Sequence, residues 1–143
     1  MGVPARLSMV TLMARDIGKQ RAFYRALGWE EQEGSNDEHA MFKTVGGALA
    51  IFPWTAALEY HNLPADTPFP QVSAIGLATN LSTKEEVDAA FETVRAAGAR
   101  VIKEPQEVYW GGYTGLYADP EGNIWEIAYN PYSVFDERGA LIV

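Results

Sequence analysis

The feature that most constrains the fold of this chain is an internal repeat of roughly 70 residues, a period longer than those of solenoid proteins. The first half predicts a strand, a helix and three more strands, at residues 7–14, 17–27, 29–33, 39–45 and 48–54. The second half predicts the same order, at 72–79, 82–97, 100–105, 113–118 and 123–130. One helix covers only one face of its sheet, so the other face is expected to curl round a concave space. Two βαβββ modules side by side therefore predict an α+β fold with a cupped, eight-stranded mixed sheet and a central cavity.

Local signals at the element ends support this order. Asp16 is a good N-cap for the first helix, and Gly28 is placed to end that helix in the left-handed conformation. The second helix begins with a capping box in either of two registers, Ser82–Glu85 or Thr83–Glu86. The pair at 46–47, Gly-Gly, is a two-residue hairpin signal between the last two strands of the first half.

The repeat predicts a single domain over residues 1–143. Module one spans about 5–55 and module two about 72–130. The segment between them, 56–71, is rich in proline and has no sustained period, so it is either a linker or a lid over a site. The tail, 131–143, ends in an apolar stretch and is expected to pack on the body or on a second subunit.

The last two strands form a hairpin around Asp-Pro-Glu-Gly at 119–122. Proline suits the second position of a tight turn, and Gly122 can take the positive φ needed to leave it. Alternation along the second arm places Ile124, Glu126 and Ala128 on one face and Trp125, Ile127 and Tyr129 on the other. Glu126 is thus a carboxylate among apolar neighbours, either on a solvated face or in a cavity. Trp125 is predicted to be core, under the helix of its own half.

Composition excludes several classes of function. The chain is 48% hydrophobic and 21% charged, as in an ordinary globular protein, and its net charge is −8. An acidic chain without a basic cluster is a poor partner for nucleic acid or anionic membranes, and it suits a cationic ligand. The absence of cysteine excludes disulfides and thiolate metal sites. The N-terminus is a poor signal peptide and no apolar run approaches the ~20 residues of a membrane span, so a cytoplasmic location is expected.

Two motifs within this repeat resemble the vicinal oxygen chelate superfamily, which includes glyoxalase I, extradiol dioxygenases, and fosfomycin and bleomycin resistance proteins. One is the first strand running into Asp16-Ile17 and a helix that contains Ala-Phe-Tyr at 22–24. The other is the closing Ala-Asp-Pro-Glu-Gly-Asn at 118–123, followed by Glu126. The resemblance covers about 7–130 and implies the two-module fold, although this fold hosts several chemistries.

The resemblance implies metal ligands on the first and last strand of each module. These positions fall on Met9, on Ala50 or Ile51, on Ala74 and on Glu126. A divalent ion needs several nitrogen or oxygen ligands, and one carboxylate with a thioether does not supply them. No bound cofactor is therefore expected. His39 and His61 fall on none of these positions.

The same strand faces predict a set of cavity residues. The candidates for ligand binding are Met9, Thr11, Trp54, Ala74, Trp110, Tyr113, Tyr117 and Glu126. Aromatic side chains around a cavity suit a flat apolar molecule. Glu126 is either a vestige satisfied by a neighbouring donor or water, or a binding carboxylate or catalytic base. The methionines can equally be core filler.

These observations favour a metal-independent protein of the glyoxalase and bleomycin-resistance type. It would bind a small aromatic or amphipathic molecule in an apolar cavity, with Glu126 as the polar anchor. The alternative is a metal-dependent, glyoxalase-like lyase or isomerase, or a dioxygenase-related enzyme, with Glu126 as the base. A third class is a structural role with a collapsed cavity. A homodimer is expected, because the sheet edges and the apolar C-terminus need cover.

Overall fold

The fold is an α+β arrangement of strands and helices, as the sequence predicts. The computed structural model describes residues 2–143, and the elements are β1 Met9–Ala14, α1 Ile17–Ala26, β2 Ala40–Lys43, β3 Ala48–Pro53, α2 Trp54–Tyr60, β4 Gly76–Leu81, α3 Lys84–Ala96, β5 Arg100–Glu107, β6 Tyr113–Ala118, β7 Ile124–Tyr129, β8 Val134–Phe135 and β9 Leu141–Ile142. None of the helices in this part of the chain is both long and apolar enough to cross a membrane.

Module one is a three-stranded sheet in the order β1-β3-β2, with β1 parallel and β2 antiparallel to β3. The strand predicted at 29–33 is reduced to a single bridge between Glu31 and Phe42. The Glu31 side chain is held from the other side by α1, because its carboxylate accepts from Arg21 Nε at 2.5 Å and Arg25 Nη1 at 2.9 Å. This segment therefore crosses from the helix to the sheet edge instead of extending along it.

Module two has the predicted βαβββ order, and its four strands lie in the order β4-β7-β6-β5. The capping box that begins α3 uses the Thr83–Glu86 register. β4 begins at Gly76, later than the predicted residue 72. The delay has a local cause, since Ser73 Oγ accepts a hydrogen bond from the Ile75 N–H and holds the chain in a turn there.

The two modules form separate sheets, so the predicted continuous eight-stranded sheet is not what this part of the chain shows. β1 pairs only with β3, and β4 pairs only with β7. No backbone–backbone hydrogen bond joins the two sheets within residues 2–143. The free edges of β1 and β4 instead line one cleft.

One hydrophobic core joins the modules. The Tyr117 ring lies between the two long helices, 6.2 Å from the Phe23 ring of α1 and 6.4 Å from the Phe91 ring of α3. Trp125 is in the core as predicted, and it stacks on Tyr117. Its other ring partners are Tyr24 and Trp29 of module one, so its packing is not confined to its own half.

A buried carboxylate, Asp119, connects the closing hairpin to α1. Its side chain accepts hydrogen bonds from Gln20 Nε2 at 2.7 Å and from the Tyr24 hydroxyl at 2.6 Å. It also accepts from Asn123 Nδ2 and from the backbone N–H groups of Glu121 and Asn123. Burial, together with the charge of Asp119, raises the pKa of Tyr24 well above its usual range, so the hydroxyl remains a donor. We call these side chains the Asp119 network.

The segment predicted as a linker or lid begins with a helix, α2, that the sequence pattern did not reveal. In β3, Leu49, Ala50 and Ile51 are all buried, which requires that both faces of the strand are covered. α1 and α2 both contact β3, and Ala57 and Leu58 of α2 are buried.

The tail forms a small hairpin of β8 and β9, with a turn at 136–139. Asp136 N–H donates to the Ala140 carbonyl at 2.9 Å across this turn. Val134, Leu141 and Ile142 remain exposed. The apolar end was predicted to pack on the body or on a second subunit. Within one chain it remains partly exposed.

Replacing Tyr24 by Phe should destabilise the protein by about 2–3 kcal/mol. The change removes a donor from buried Asp119 and the acceptor of the Trp125 indole N–H, which bonds the hydroxyl at 3.0 Å. The matched control is Tyr113→Phe, whose hydroxyl donates to Asp88 at 2.7 Å near the surface. Its loss should cost much less, because water can replace the missing partner there. Urea unfolding followed by circular dichroism measures both. Equal losses in the two variants would contradict a special role for the network.

Candidate functional site

A cleft of about 370 Å³ lies between the free edges of β1 and β4, and we call it the central cleft. It is lined by Val10, Thr11, Leu12, Met13, Trp54, Phe69, Pro70, Gln71, Val72, Ser73, Ala74, Ile75, Leu77, Glu121, Gly122 and Asn123. Most of these side chains are apolar. Because β1 and β4 belong to different modules, the cleft exists only when the two modules pack together.

The proline-rich segment closes one side of the central cleft. Trp54 and Phe69 meet edge to face, with ring centroids 5.3 Å apart. The Arg15 guanidinium lies 4.4 Å from the centroid of the Phe69 ring, a cation–π contact. These contacts fix the aromatic end of the segment against the end of β1.

Glu121 ties the turn of the closing hairpin to the start of α1. One carboxylate oxygen accepts from the backbone N–H groups of Arg15, at 3.0 Å, and Asp16, at 2.8 Å. The other oxygen pairs with Arg15 Nε at 3.0 Å. The Glu121 side chain is only 4% exposed, whereas that of Arg15 is 61% exposed. Asp16 caps α1 as predicted, its side chain accepting from the Lys19 N–H at 3.0 Å. The carboxylate thus sets the spacing between the modules at one end of the central cleft.

Glu126 lies outside the central cleft. It occupies the middle of β7, between Ala78 of β4 and Leu116 of β6. It is half-buried, and its side chain makes no hydrogen bond with residues 2–143. The carboxylate is therefore available on the sheet face, at a distance from the cleft wall.

The other predicted site residues divide into two groups. Thr11, Trp54 and Ala74 line the central cleft. Met9, Trp110, Tyr113 and Tyr117 lie elsewhere.

Each residue of the second group has its own surroundings. Tyr117 is 2% exposed and lies in the core, where it lines a separate, smaller pocket of about 170 Å³ beside α3. Trp110 folds over Gly112, where a Cβ would lie 2.0 Å from its ring, so the glycine makes room for the indole and not for a ligand. The Tyr113 hydroxyl donates to Asp88. Met9 lies with Gly47 in a separate, smaller pocket of about 220 Å³.

Phe69, Gln71, Glu121 and Asn123 are cleft residues that the sequence did not reveal. Their contribution depends on how the modules dock, which no local pattern encodes. The signal that could have found two of them is the turn motif itself, because Glu121 and Asn123 both belong to the conspicuous 118–123 sequence. Phe69 lies in the proline-rich segment, 56–71, and one of the two interpretations of that segment was a lid over a site.

Family membership follows from comparison with known proteins. The model of the Glyoxalase/Bleomycin resistance protein/Dioxygenase superfamily matches residues 6–127. The chain belongs to this superfamily. No curated protein gives a significant match.

Solved structures of this superfamily resemble the chain over nearly its full length. A glyoxalase-related enzyme from Fulvimarina pelagi is 28% identical with a TM-score of 0.87, and the match covers 98% of this chain and 99% of that one. A glyoxalase/bleomycin resistance protein/dioxygenase family enzyme from Burkholderia phytofirmans PsJN is 30% identical with a TM-score of 0.78, covering 87% and 98%. A lactoylglutathione lyase from Agrobacterium tumefaciens, 24% identical with a TM-score of 0.66, covers 90% and 96% and shares the fold.

The side chains at the superfamily's metal-ligand positions do not fit a tightly bound divalent ion. Met9 offers a thioether opposite Ala48, and Glu126 offers one carboxylate opposite Ala78. The side chains of Ala50, Ile51 and Ala74 offer no ligand. Within residues 2–143, no group of three or more His, Cys, Asp or Glu side chains is placed to hold an ion. His39 packs on Phe52, with ring centroids 6.4 Å apart.

Replacing Glu121 by Gln should destabilise this superfamily member by about 1–2 kcal/mol, because the amide turns an N–H group toward a donor and leaves a buried hydrogen bond unmade. The control is Glu137→Gln, an exposed carboxylate that makes no hydrogen bond with the described residues. Thermal unfolding of the two variants at the same pH checks this. A change in Glu121→Gln no larger than in the control would show that the ion pair does not hold the modules.

Proposed function

We propose that this protein binds a small aromatic or amphipathic molecule in the central cleft, without a tightly bound metal ion. The observation that carries the proposal is the cleft itself, an apolar groove of about 370 Å³ between the edges of the two modules. This volume falls in the range of roughly 300–1,000 Å³ typical of small-molecule sites. The aromatic pair Trp54 and Phe69 offers flat surfaces for a ring.

A few polar groups of the cleft would orient the ligand. The Thr11 hydroxyl and the Gln71 amide make no hydrogen bond within residues 2–143, so both are free to bond a ligand. The Asn123 amide is already committed to Asp119, and the Ser73 hydroxyl to Ile75. Specificity would therefore come from the two free groups.

The composition of the cleft supports binding over catalysis. Among the described residues that line it, Glu121 is the only titratable side chain, and this carboxylate is paired with Arg15. General acid–base catalysis needs a group that is free to exchange a proton with the substrate. We propose sequestration or transport of the ligand as the activity. Each protein would act as part of a homodimer, whose contact would cover the exposed tail residues Val134, Leu141 and Ile142.

Narrowing the cleft should weaken binding about tenfold or more, because an indole in a pocket of this size displaces the ligand. The variant is Ala74→Trp, an exposed cleft residue, and its control is Ala65→Trp, an exposed residue of the proline-rich segment outside the cleft. The probe is N-phenyl-naphthylamine, a neutral aromatic dye whose emission rises in apolar sites. No binding by the wild type, or equal binding by both variants, would count against the cleft.

The second candidate function is a lyase or isomerase reaction that uses Glu126 as a base with a metal ion. It is favoured by the free Glu126 carboxylate and by the likeness, over nearly the full length, to a protein described as a glyoxalase-related enzyme. Metal analysis of protein purified without chelator tests it, and our proposal predicts less than stoichiometric Ni, Zn, Fe or Mn. Glu126→Gln should leave binding of the neutral dye unchanged. A stoichiometric metal that Glu126→Gln releases would establish the second candidate instead.

A further inference from the structure

A second cavity, of about 590 Å³, adjoins the central cleft. Its lining includes Arg15, Phe69, Arg100, Asp119 and Glu121. Residues 69–71 and 121–122 line both cavities, so the two cavities are adjacent. We call it the arginine cavity.

The donors without a partner in the arginine cavity belong to two guanidinium groups and to the Gln71 amide. Arg100, on β5, forms no ion pair or side-chain hydrogen bond within residues 2–143. The Arg15 side chain donates to Glu121 only through Nε, so the hydrogen atoms of its two terminal nitrogens have no acceptor in the described chain. The stacking of Arg15 on Phe69 fixes the plane of its guanidinium at the shared wall.

The carboxylates of the arginine cavity already accept hydrogen bonds from groups of the protein. Asp119 is 4% exposed and accepts hydrogen bonds from Gln20, Tyr24 and Asn123. Glu121 accepts from two backbone N–H groups and from Arg15. An incoming cation would have to displace these partners, whereas an incoming anion would meet donors without partners.

We infer that the arginine cavity binds the anionic group of an amphipathic molecule whose apolar part occupies the central cleft. This inference rests on the proposed function and specifies its ligand class as an apolar body with a carboxylate, sulfonate or phosphate. A guanidinium matches such groups with paired N–H donors. The net charge of −8 predicts the opposite ligand. Distant surface charges are screened beyond about 8 Å at physiological ionic strength. The donors inside the arginine cavity therefore determine which charge the bound ligand carries.

The test compares two dyes with the same aromatic body, N-phenyl-naphthylamine and anilinonaphthalene sulfonate, which differ in the charged sulfonate. The wild type should bind the sulfonate about tenfold more tightly, a difference of ~1.4 kcal/mol. Arg100→Gln should lower sulfonate affinity about fivefold and leave the affinity for the neutral dye unchanged. The control is Lys103→Gln, which removes the same charge from an exposed position on β5 outside the arginine cavity. Arg15 is not substituted, because its contact with Glu121 supports the fold.

The outcomes separate the inference from the proposed function. Binding of both dyes without preference for the sulfonate overturns the inference and leaves the proposed function standing. The inference is likewise overturned if Arg100→Gln and Lys103→Gln weaken sulfonate binding equally, since the effect is then one of overall charge. Failure of the wild type to bind either dye overturns the proposed function, and the inference falls with it.

Discussion

The hydrogen bonds to the buried Asp119 carboxylate are the interaction on which the arrangement of the two modules depends. The two sheets share no backbone hydrogen bond within residues 2–143, so side chains must set their relative position. A buried carboxylate is costly unless donors surround it, and Gln20 and Tyr24 of module one add two donors to those that Glu121 and Asn123 of module two supply. Undocking the modules would break the two hydrogen bonds from module one and leave only water in their place. The geometry of these hydrogen bonds therefore fixes how the modules dock, and with it the width of the central cleft.

The turn at 119–122 both stabilises the fold and helps to form the central cleft. Asp119 faces inward to α1, while Glu121, two residues later, reaches the backbone at the start of that helix. Arg15 then joins Glu121 to Phe69 of the proline-rich segment. A short turn therefore links the core, the helix N-terminus and the wall of the cleft. In this superfamily member the closing hairpin matters more for assembling the cleft than for presenting Glu126.

The parts of the fold that the sequence predicts are those encoded by local chemistry. Asp16 and Thr83 cap their helices through contacts only three residues away, and the Asp-Pro-Glu-Gly turn needs only its own residues. The sequence did not predict the elements that depend on tertiary packing. α2 has no side-chain cap at Pro53, and its buried residues, Ala57 and Leu58, show that tertiary packing supports it. The cleft was only partly predicted for the same reason: alternation identifies Thr11 on a strand face, but the partners across the cleft depend on module docking.

The net charge of the whole chain favours a cationic ligand, whereas the unpaired guanidinium donors of the arginine cavity favour an anionic one. A structure of the protein with a bound dye would decide between them. The most direct measurement is a crystal structure of the protein with anilinonaphthalene sulfonate. We expect the aromatic rings between β1 and β4, beside Trp54, with the sulfonate within hydrogen-bond distance of Arg100. Rings bound on the open sheet face beside Glu126, with the central cleft empty, would contradict the account.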